Sequence, residues 1–233
     1  MPFGRKIEVK KSKYEIDMCS GSIMDKLISF SLPLMLSEIL QLMFNAVDII
    51  VVGRFSGSEA LAAVGSTTAL ISMFTNLFIG VSLGTSVLTA RFYAAGRDQE
   101  VSETVHTSIM LALLSGILMV FVGLFFSRGA LELMDTPDDV IDLSTLYMKI
   151  YFVGMPFFML YNYGAAVLRA VGDTKRPLFF LIISGVLNAG LNLFLVVVFH
   201  MGVAGVGIAT VISQMVSCVL VLICLYRAES SYQ

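Results

Sequence analysis

Six apolar stretches, each long enough to cross a lipid bilayer, constrain the fold of this chain more than any other feature. A helix needs about 20 predominantly apolar residues to span the hydrocarbon core. The six stretches cover residues 27–52, 60–88, 105–126, 144–168, 178–199 and 203–226. They are continuously apolar and do not alternate in the manner of barrel strands. The predicted fold is therefore all-α, an integral membrane helical bundle of six transmembrane helices.

Basic residues predict how the bundle is oriented. Only 14% of the residues are charged, against about 25% in a soluble domain, so the placement of each charge matters. If the amino terminus is cytoplasmic, twelve Lys and Arg residues lie inside and three lie outside, namely Arg54, Arg128 and Lys149. This bias predicts cytoplasmic termini. The predicted organisation is a cytoplasmic segment over 1–26, the bundle over 27–227 and a short cytoplasmic tail over 228–233.

Polar side chains form a stripe along the first predicted helix. Glu38, Gln41, Asn45 and Asp48 follow one another at helical spacing, so they lie near one face. Pro33, nearer the start of this helix, removes a backbone hydrogen bond and permits a bend. A polar stripe in lipid must face protein or water. The amides either join helices by hydrogen bonding or take part in a site.

Asp48 is the first functional candidate, because an ionisable side chain inside the membrane is costly. Glu38 leaves two interpretations open: a second titrating group, or a protonated and hydrogen-bonded structural acid.

Polar residues also lie on the last two predicted helices, and two of them, Asn192 and Thr210, reach a depth similar to that of Asp48. Asn188 and Asn192 are one turn apart on the fifth helix, and Thr210 lies on the sixth. At 1.5 Å per residue, Asp48 lies about 6 Å below the outer end of its helix, and Asn192 and Thr210 about 10 Å below theirs. Carboxylate, amide and hydroxyl oxygens suit a small hard cation such as sodium, and the carboxylate can instead accept a proton.

The chain resembles the amino-terminal half of a multidrug and toxic compound extrusion (MATE) transporter. The resemblance runs from about Ser22 to the end and depends on the order and spacing of its motifs. These are Leu32-Pro33-Leu34, Phe44-Asn45-Ala46-Val47-Asp48, Val52-Gly53-Arg54-Phe55, Gly80-Val81-Ser82-Leu83-Gly84-Thr85, Leu168-Arg169-Ala170-Val171-Gly172-Asp173-Thr174, Arg176-Pro177-Leu178, Leu187-Asn188 and Thr210-Val211-Ile212-Ser213-Gln214.

The resemblance implies an antiporter that exports bulky, often cationic drugs in exchange for protons or sodium. It implies a cation site at Asp48, Asn188, Asn192 and Thr210, a role for Pro33 in bending the first helix, and no cofactor. Many members of the family have aspartate where this chain has Asn192, so the identity of the coupling ion stays open.

The resemblance also implies a second lobe. Members of the family have two related six-helix bundles, and rocking of one bundle against the other requires both. Three explanations fit this chain: a truncated chain, a half that pairs with a separate partner, or a homodimer. The expected surroundings are the plasma (inner) membrane and its lipid, with small-molecule drugs as substrates and no nucleic acid.

Other functions fit the sequence less well. An intramembrane enzyme would need a paired acid, a metal signature or a Ser/His pair, and the sequence shows no such motif. An inactive or regulatory transporter fragment, and a lipid-linked saccharide flippase of related architecture, are the remaining alternatives. Aromatic and amide side chains of the fourth helix can line a drug cavity, although packing explains each one as well: Tyr151, Tyr161, Asn162 and Tyr163.

Overall fold

The computed structural model describes residues 22–229, which are helical almost throughout. The helices are α1 (Ile23–Phe55), α2 (Gly57–Ala94), α3 (Asp98–Leu133), α4 (Asp138–Val153), α5 (Met155–Ala170), α6 (Lys175–Leu193) and α7 (Gly202–Glu229). A π-helical turn, Phe194–Val198, continues α6. The prediction of an all-α membrane bundle is confirmed.

Five of these helices are individually long and apolar enough to cross a membrane: α1, α2, α3, α6 with its π-helical turn, and α7. The helices α4 and α5 pass the same test only as a pair, which is bent by 48° at Gly154 and makes a sixth span if the two helices form one broken span. Pro156 explains the break, because its ring nitrogen has no hydrogen to donate to the carbonyl of Phe152. The predicted continuous fourth helix over 144–168 is therefore broken in the middle.

The outer boundaries of the predicted organisation remain predictions. Residues 1–21 and 230–233, which make up most of the two predicted cytoplasmic segments, lie outside the described residues. The helix α1 begins at Ile23, four residues before the predicted start of the first apolar stretch.

Burial differs sharply between the centre and the edge of the bundle. Ten of the 16 residues of α5 are buried, and this short helix packs against α2, α3 and α7. In α1 only four of 33 residues are buried, because this helix contacts mainly α6 and α2. The helix that carries the predicted polar stripe therefore lies at the edge of the lobe, with most of its surface uncovered.

A close aromatic contact fixes α1 against α6. The ring of Phe44 lies against Gly185, where a Cβ atom would come within 1.9 Å of Phe44 Cε2. Small residues allow membrane helices to approach closely in this way. Asp48 lies one turn after Phe44, and Asn188 lies one turn after Gly185. The contact thus sets the register that brings these two polar residues to the same level.

Candidate functional site

Four polar residues that were predicted from the sequence, and that lie on three helices, meet in one hydrogen-bonded chain. Asn192 Nδ2 donates to Asp48 Oδ1, joining α6 to α1. The same nitrogen lies 3.2 Å from Asn188 Oδ1, and Asn188 Nδ2 lies 3.4 Å from Thr210 Oγ1 on α7. Thr210 also donates to the carbonyl of Val206 at 2.9 Å. The structure therefore brings all four predicted cation-site residues together.

The carboxylate of this cluster is enclosed by protein and has no basic partner within the part of the chain that the structure describes. Asp48 is 9% exposed and Asn192 is 0% exposed. Within residues 22–229, Asp48 forms no ion pair, and Asn192 is its one hydrogen-bond donor. Burying a carboxylate without a compensating charge costs several kcal/mol. A proton or a small cation is the natural compensation at this position.

The oxygen atoms around Asp48 suit a hard cation. Asn192 Oδ1 is buried and has no hydrogen-bond partner among the described residues, and an amide oxygen can accept or coordinate through two lone pairs. Together with the Asp48 carboxylate, the Asn188 amide and the Thr210 hydroxyl, it offers the ligand type that sodium prefers. The same carboxylate can equally well accept a proton.

Two tyrosines of α4 border the cluster. Tyr147 is 6% exposed and Tyr151 is half-buried, and their rings lie 6.1 Å apart. Both lie within electrostatic range of the Asp48 carboxylate. From the sequence, Tyr151 was predicted only as a possible drug-cavity residue, and Tyr147 was not predicted. Their spacing of four residues, which places two hydroxyl groups on one helix face, was the signal available.

The π-helical turn begins two residues after Asn192. Val196 of this turn is 2% exposed, and the turn packs against α1 and α7. Such turns widen a helix by one residue and are frequent at functional sites. This π-helical turn therefore lies next to the cluster, directly after the carboxy-terminal end of α6.

Three other residues of the predicted stripe do not join the cluster. Glu38 and Gln41 are exposed and line a separate cavity, while Asn45 is exposed on the uncovered surface of α1. The helix continues without interruption through Pro33, and Ser37 Oγ donates to the Pro33 carbonyl at 2.8 Å. The role of Pro33 in bending α1 remains a prediction.

The separate cavity lies between α1, α2, α5 and the start of α6. Its volume is about 380 Å³. Two charged residues, Glu38 and Arg169, line it. Its polar lining is completed by Ser37, Gln41, Asn76, Ser82, Ser86, Tyr161, Asn162 and Thr174. The aromatic and amide pair Tyr161 and Asn162 therefore borders a cavity, whereas Tyr163 is 2% exposed and belongs to the packed core.

Proteins of known sequence resemble this chain over most of its length. The probable multidrug resistance protein YpnP of Bacillus subtilis (strain 168) is 33% identical over 200 residues, which are 85% of this chain and 44% of the relative. The probable multidrug resistance protein YoeA of the same organism is 33% identical over 208 residues, 88% of this chain and 45% of the relative. The chain thus spans about half the length of these relatives.

The fold also matches solved transporters. A crystal structure described as MATE in the bent conformation superposes with a TM-score of 0.83 at 25% identity, over 88% of this chain and 46% of that one. A profile of the MatE family matches residues 33–194, well over half of the chain. With these matches to its sequence and fold, the chain belongs to the multidrug and toxic compound extrusion (MATE) family, and it corresponds to the amino-terminal half of its members.

Proposed function

We propose that this chain is one lobe of an antiporter that exports drugs and toxic, often cationic, organic compounds in exchange for protons or sodium. The carboxylate of Asp48 carries the proposal: it is buried within a membrane span, bonded to Asn192 and without a basic partner among residues 22–229. A group of this kind gains stability when a cation binds. The relatives named as multidrug resistance proteins support drugs as the cargo.

Coupling follows from the position of the cluster between helices. Asp48 belongs to α1, Asn188 and Asn192 to α6, and Thr210 to α7. A proton or sodium ion at Asp48 would change the attraction between the carboxylate and these groups, and so the preferred placement of α1. Antiport requires that the ion and the drug favour different states of the transporter. The uncovered edge position of α1 leaves it room to move.

A second lobe completes the transporter in this proposal. Glu38, Gln41 and Asn45 are exposed along a helix that crosses the membrane, and polar side chains there must face protein or water. The chain covers about half of its relatives, and alternating access needs two bundles. The second bundle is a carboxy-terminal continuation, a separate partner or another copy. Both termini are proposed to face the cytoplasm of a plasma (inner) membrane.

Efflux of a cationic dye tests the proposal. Pump-deficient cells would express this chain together with the carboxy-terminal half of a close relative, as wild type, Asp48→Asn or Asp139→Asn. We expect Asp48→Asn to lower efflux at least about tenfold, in line with ordinary coupling energies, and to remove its dependence on pH and sodium. Asp139, an exposed acid near the start of α4, serves as the matched control and should have no effect.

Unchanged efflux and ion dependence in Asp48→Asn would refute the coupling role. A parallel culture expressing the 233-residue chain alone separates the explanations for its length. Efflux that depends on Asp48 in that culture indicates assembly of two copies. If the chain is present in the membrane but exports no dye alone, it is a lobe that needs a different second half. If it also exports no dye together with the carboxy-terminal half of the relative, it is an inactive fragment.

A further inference from the structure

The cavity beside Glu38 holds two opposite charges that do not neutralise each other. Glu38 makes no ion pair or hydrogen bond within residues 22–229. In the same part of the chain, Arg169 makes one hydrogen bond, from Nε to the Ala165 carbonyl of its own helix at 3.2 Å. Both charges lie within electrostatic range of the Tyr161 hydroxyl. The remaining donors of the guanidinium and both oxygens of the carboxylate can therefore reach a ligand.

This cavity is separate from the Asp48 cluster. Glu38 precedes Asp48 by ten residues, about 15 Å along α1. Arg169 and Thr174 flank the connection between α5 and α6, at the end of α6 opposite Asn192. The predicted orientation makes this the cytoplasmic side, from which an exported molecule would enter.

The neutral lining adds groups suited to binding. Thr174 is 1% exposed, and its hydroxyl oxygen has no hydrogen-bond partner among the described residues. Asn162 Nδ2 donates to the Phe158 carbonyl at 2.8 Å, which leaves its side-chain oxygen as an acceptor. The hydroxyl of Tyr161 donates to the Pro177 carbonyl at 3.1 Å and holds the start of α6 against the cavity wall. The volume of about 380 Å³ lies in the range of small-molecule sites.

We infer that this cavity is a binding site for amphoteric organic molecules, with Glu38 receiving a cationic amine and Arg169 receiving a carboxylate. A guanidinium binds a carboxylate through two parallel hydrogen bonds, and a carboxylate pairs with an ammonium group. A purely cationic molecule would use Glu38 but leave its amine near the charge of Arg169. The inference rests on the proposed function in that the ligand is a molecule that the transporter exports.

Three fluorescent probes that share one scaffold distinguish the contribution of Glu38 to binding from that of Arg169. Nε-dansyl-lysine carries an ammonium and a carboxylate, its methyl ester carries only the ammonium, and its Nα-acetyl derivative carries only the carboxylate. The purified 233-residue chain, in nanodiscs of phosphatidylcholine, would be titrated against each probe while dansyl fluorescence is recorded. Empty nanodiscs provide the background. The variants are Glu38→Gln and Arg169→Gln, with Glu59→Gln and Arg54→Gln as controls at exposed positions outside the cavity.

We expect the amphoteric probe to bind at least about tenfold more tightly than either derivative, since each charge contributes its own contact. Glu38→Gln should weaken the amphoteric probe and the ester but not the acetyl derivative. Arg169→Gln should weaken the amphoteric probe and the acetyl derivative but not the ester. Both controls should bind as wild type does.

Equal binding of all three probes, no binding, or binding that neither substitution alters would overturn the inference. Circular dichroism of each variant establishes that its helices are intact. The titrations use variants of Glu38 and Arg169 alone, whereas the coupling proposal is tested by Asp48→Asn. A failure of the coupling proposal therefore appears in the efflux of Asp48→Asn, and a failure of this inference appears in the probe titrations.

Discussion

Asp48 and Glu38 lie ten residues apart on the same helix, yet their carboxylates have opposite surroundings. Asp48 is enclosed where α1 meets α6 and accepts a hydrogen bond from Asn192. Glu38 is exposed to a cavity, without a hydrogen bond or ion pair among the described residues. A membrane span can thus accommodate an acid either by surrounding it with hydrogen-bonding groups or by leaving it in a polar cavity.

The two arrangements differ in what a substitution should change. In the enclosed cluster Asp48, Asn192, Asn188 and Thr210 are hydrogen-bonded to one another in sequence, so removing one side chain leaves its partner buried and unpaired. In the open cavity the polar side chains line a space that a ligand can enter. Removing one of them should therefore change ligand binding more than it changes the stability of the lobe. Matched substitutions in the two regions test this contrast.

Asn192→Ala should destabilise the lobe by about 3 kcal/mol, because it removes the one described donor to a buried carboxylate. Asn162→Ala is the matched substitution in the cavity. Its amide is half-buried and bonds only to a carbonyl of its own helix, so a loss below about 0.5 kcal/mol is expected. Reversible unfolding in mixed dodecyl sulfate micelles measures both. Similar losses for the two variants would show that the cavity is as tightly organised as the cluster.

Gly185→Ala should cost about 2 kcal/mol, because the new methyl group would overlap the ring of Phe44 and push α1 away from α6. Gly190→Ala is the control on the same helix. Nothing lies within 4 Å of the position of its added Cβ atom, so the better helix propensity of alanine should leave stability unchanged or raise it by up to about 1 kcal/mol. The same unfolding assay applies. If both variants behave alike, the contact between Phe44 and Gly185 does not fix the register.

Five of the predicted spans correspond to single helices of membrane length, because the length of an apolar run is a local property. The sequence did not predict the break in the fourth span. A proline inside an apolar stretch has two outcomes in this protein: α1 continues through Pro33, whereas Pro156 follows Gly154 at a 48° bend. At the bend, the backbone of Pro156 packs against Gly116 of α3. Such a contact between distant segments is not visible in a local pattern.

The four residues of the cluster were also predictable, in kind and in depth. Distance from the helix end placed Asp48, Asn192 and Thr210 at similar levels, and helical spacing placed Asn188 on the same face as Asn192. Their lateral contact depends on Phe44 and Gly185, and spacing along one helix says nothing about its neighbours. For the same reason the sequence did not predict that Arg169 lines one cavity with Glu38, because the two residues belong to α5 and α1, and spacing within one helix does not reveal its contacts with another.

Asn192→Asp should raise the affinity for sodium at least about tenfold, which corresponds to 1.4 kcal/mol, because a second carboxylate beside Asp48 strengthens the attraction for a cation. Sodium binding to the purified chain can be measured by calorimetry. Asn45→Asp, on the exposed surface of α1, is the matched control and should bind sodium as wild type does. An equal gain in both variants would mean that added negative charge, and not the geometry of the cluster, attracts the ion.

Glu38→Gln should change the stability of the lobe by less than about 0.5 kcal/mol, the smallest effect in the series. The substitution keeps the shape of the side chain, and the carboxylate that it removes has no described partner to be left unpaired. Unfolding in mixed micelles again provides the measurement, with Glu59→Gln as the exposed reference. A loss of several kcal/mol would reveal that Glu38 is a structural acid. In that case the contrast between the two carboxylates of α1 would no longer be one between an enclosed cluster and an open cavity.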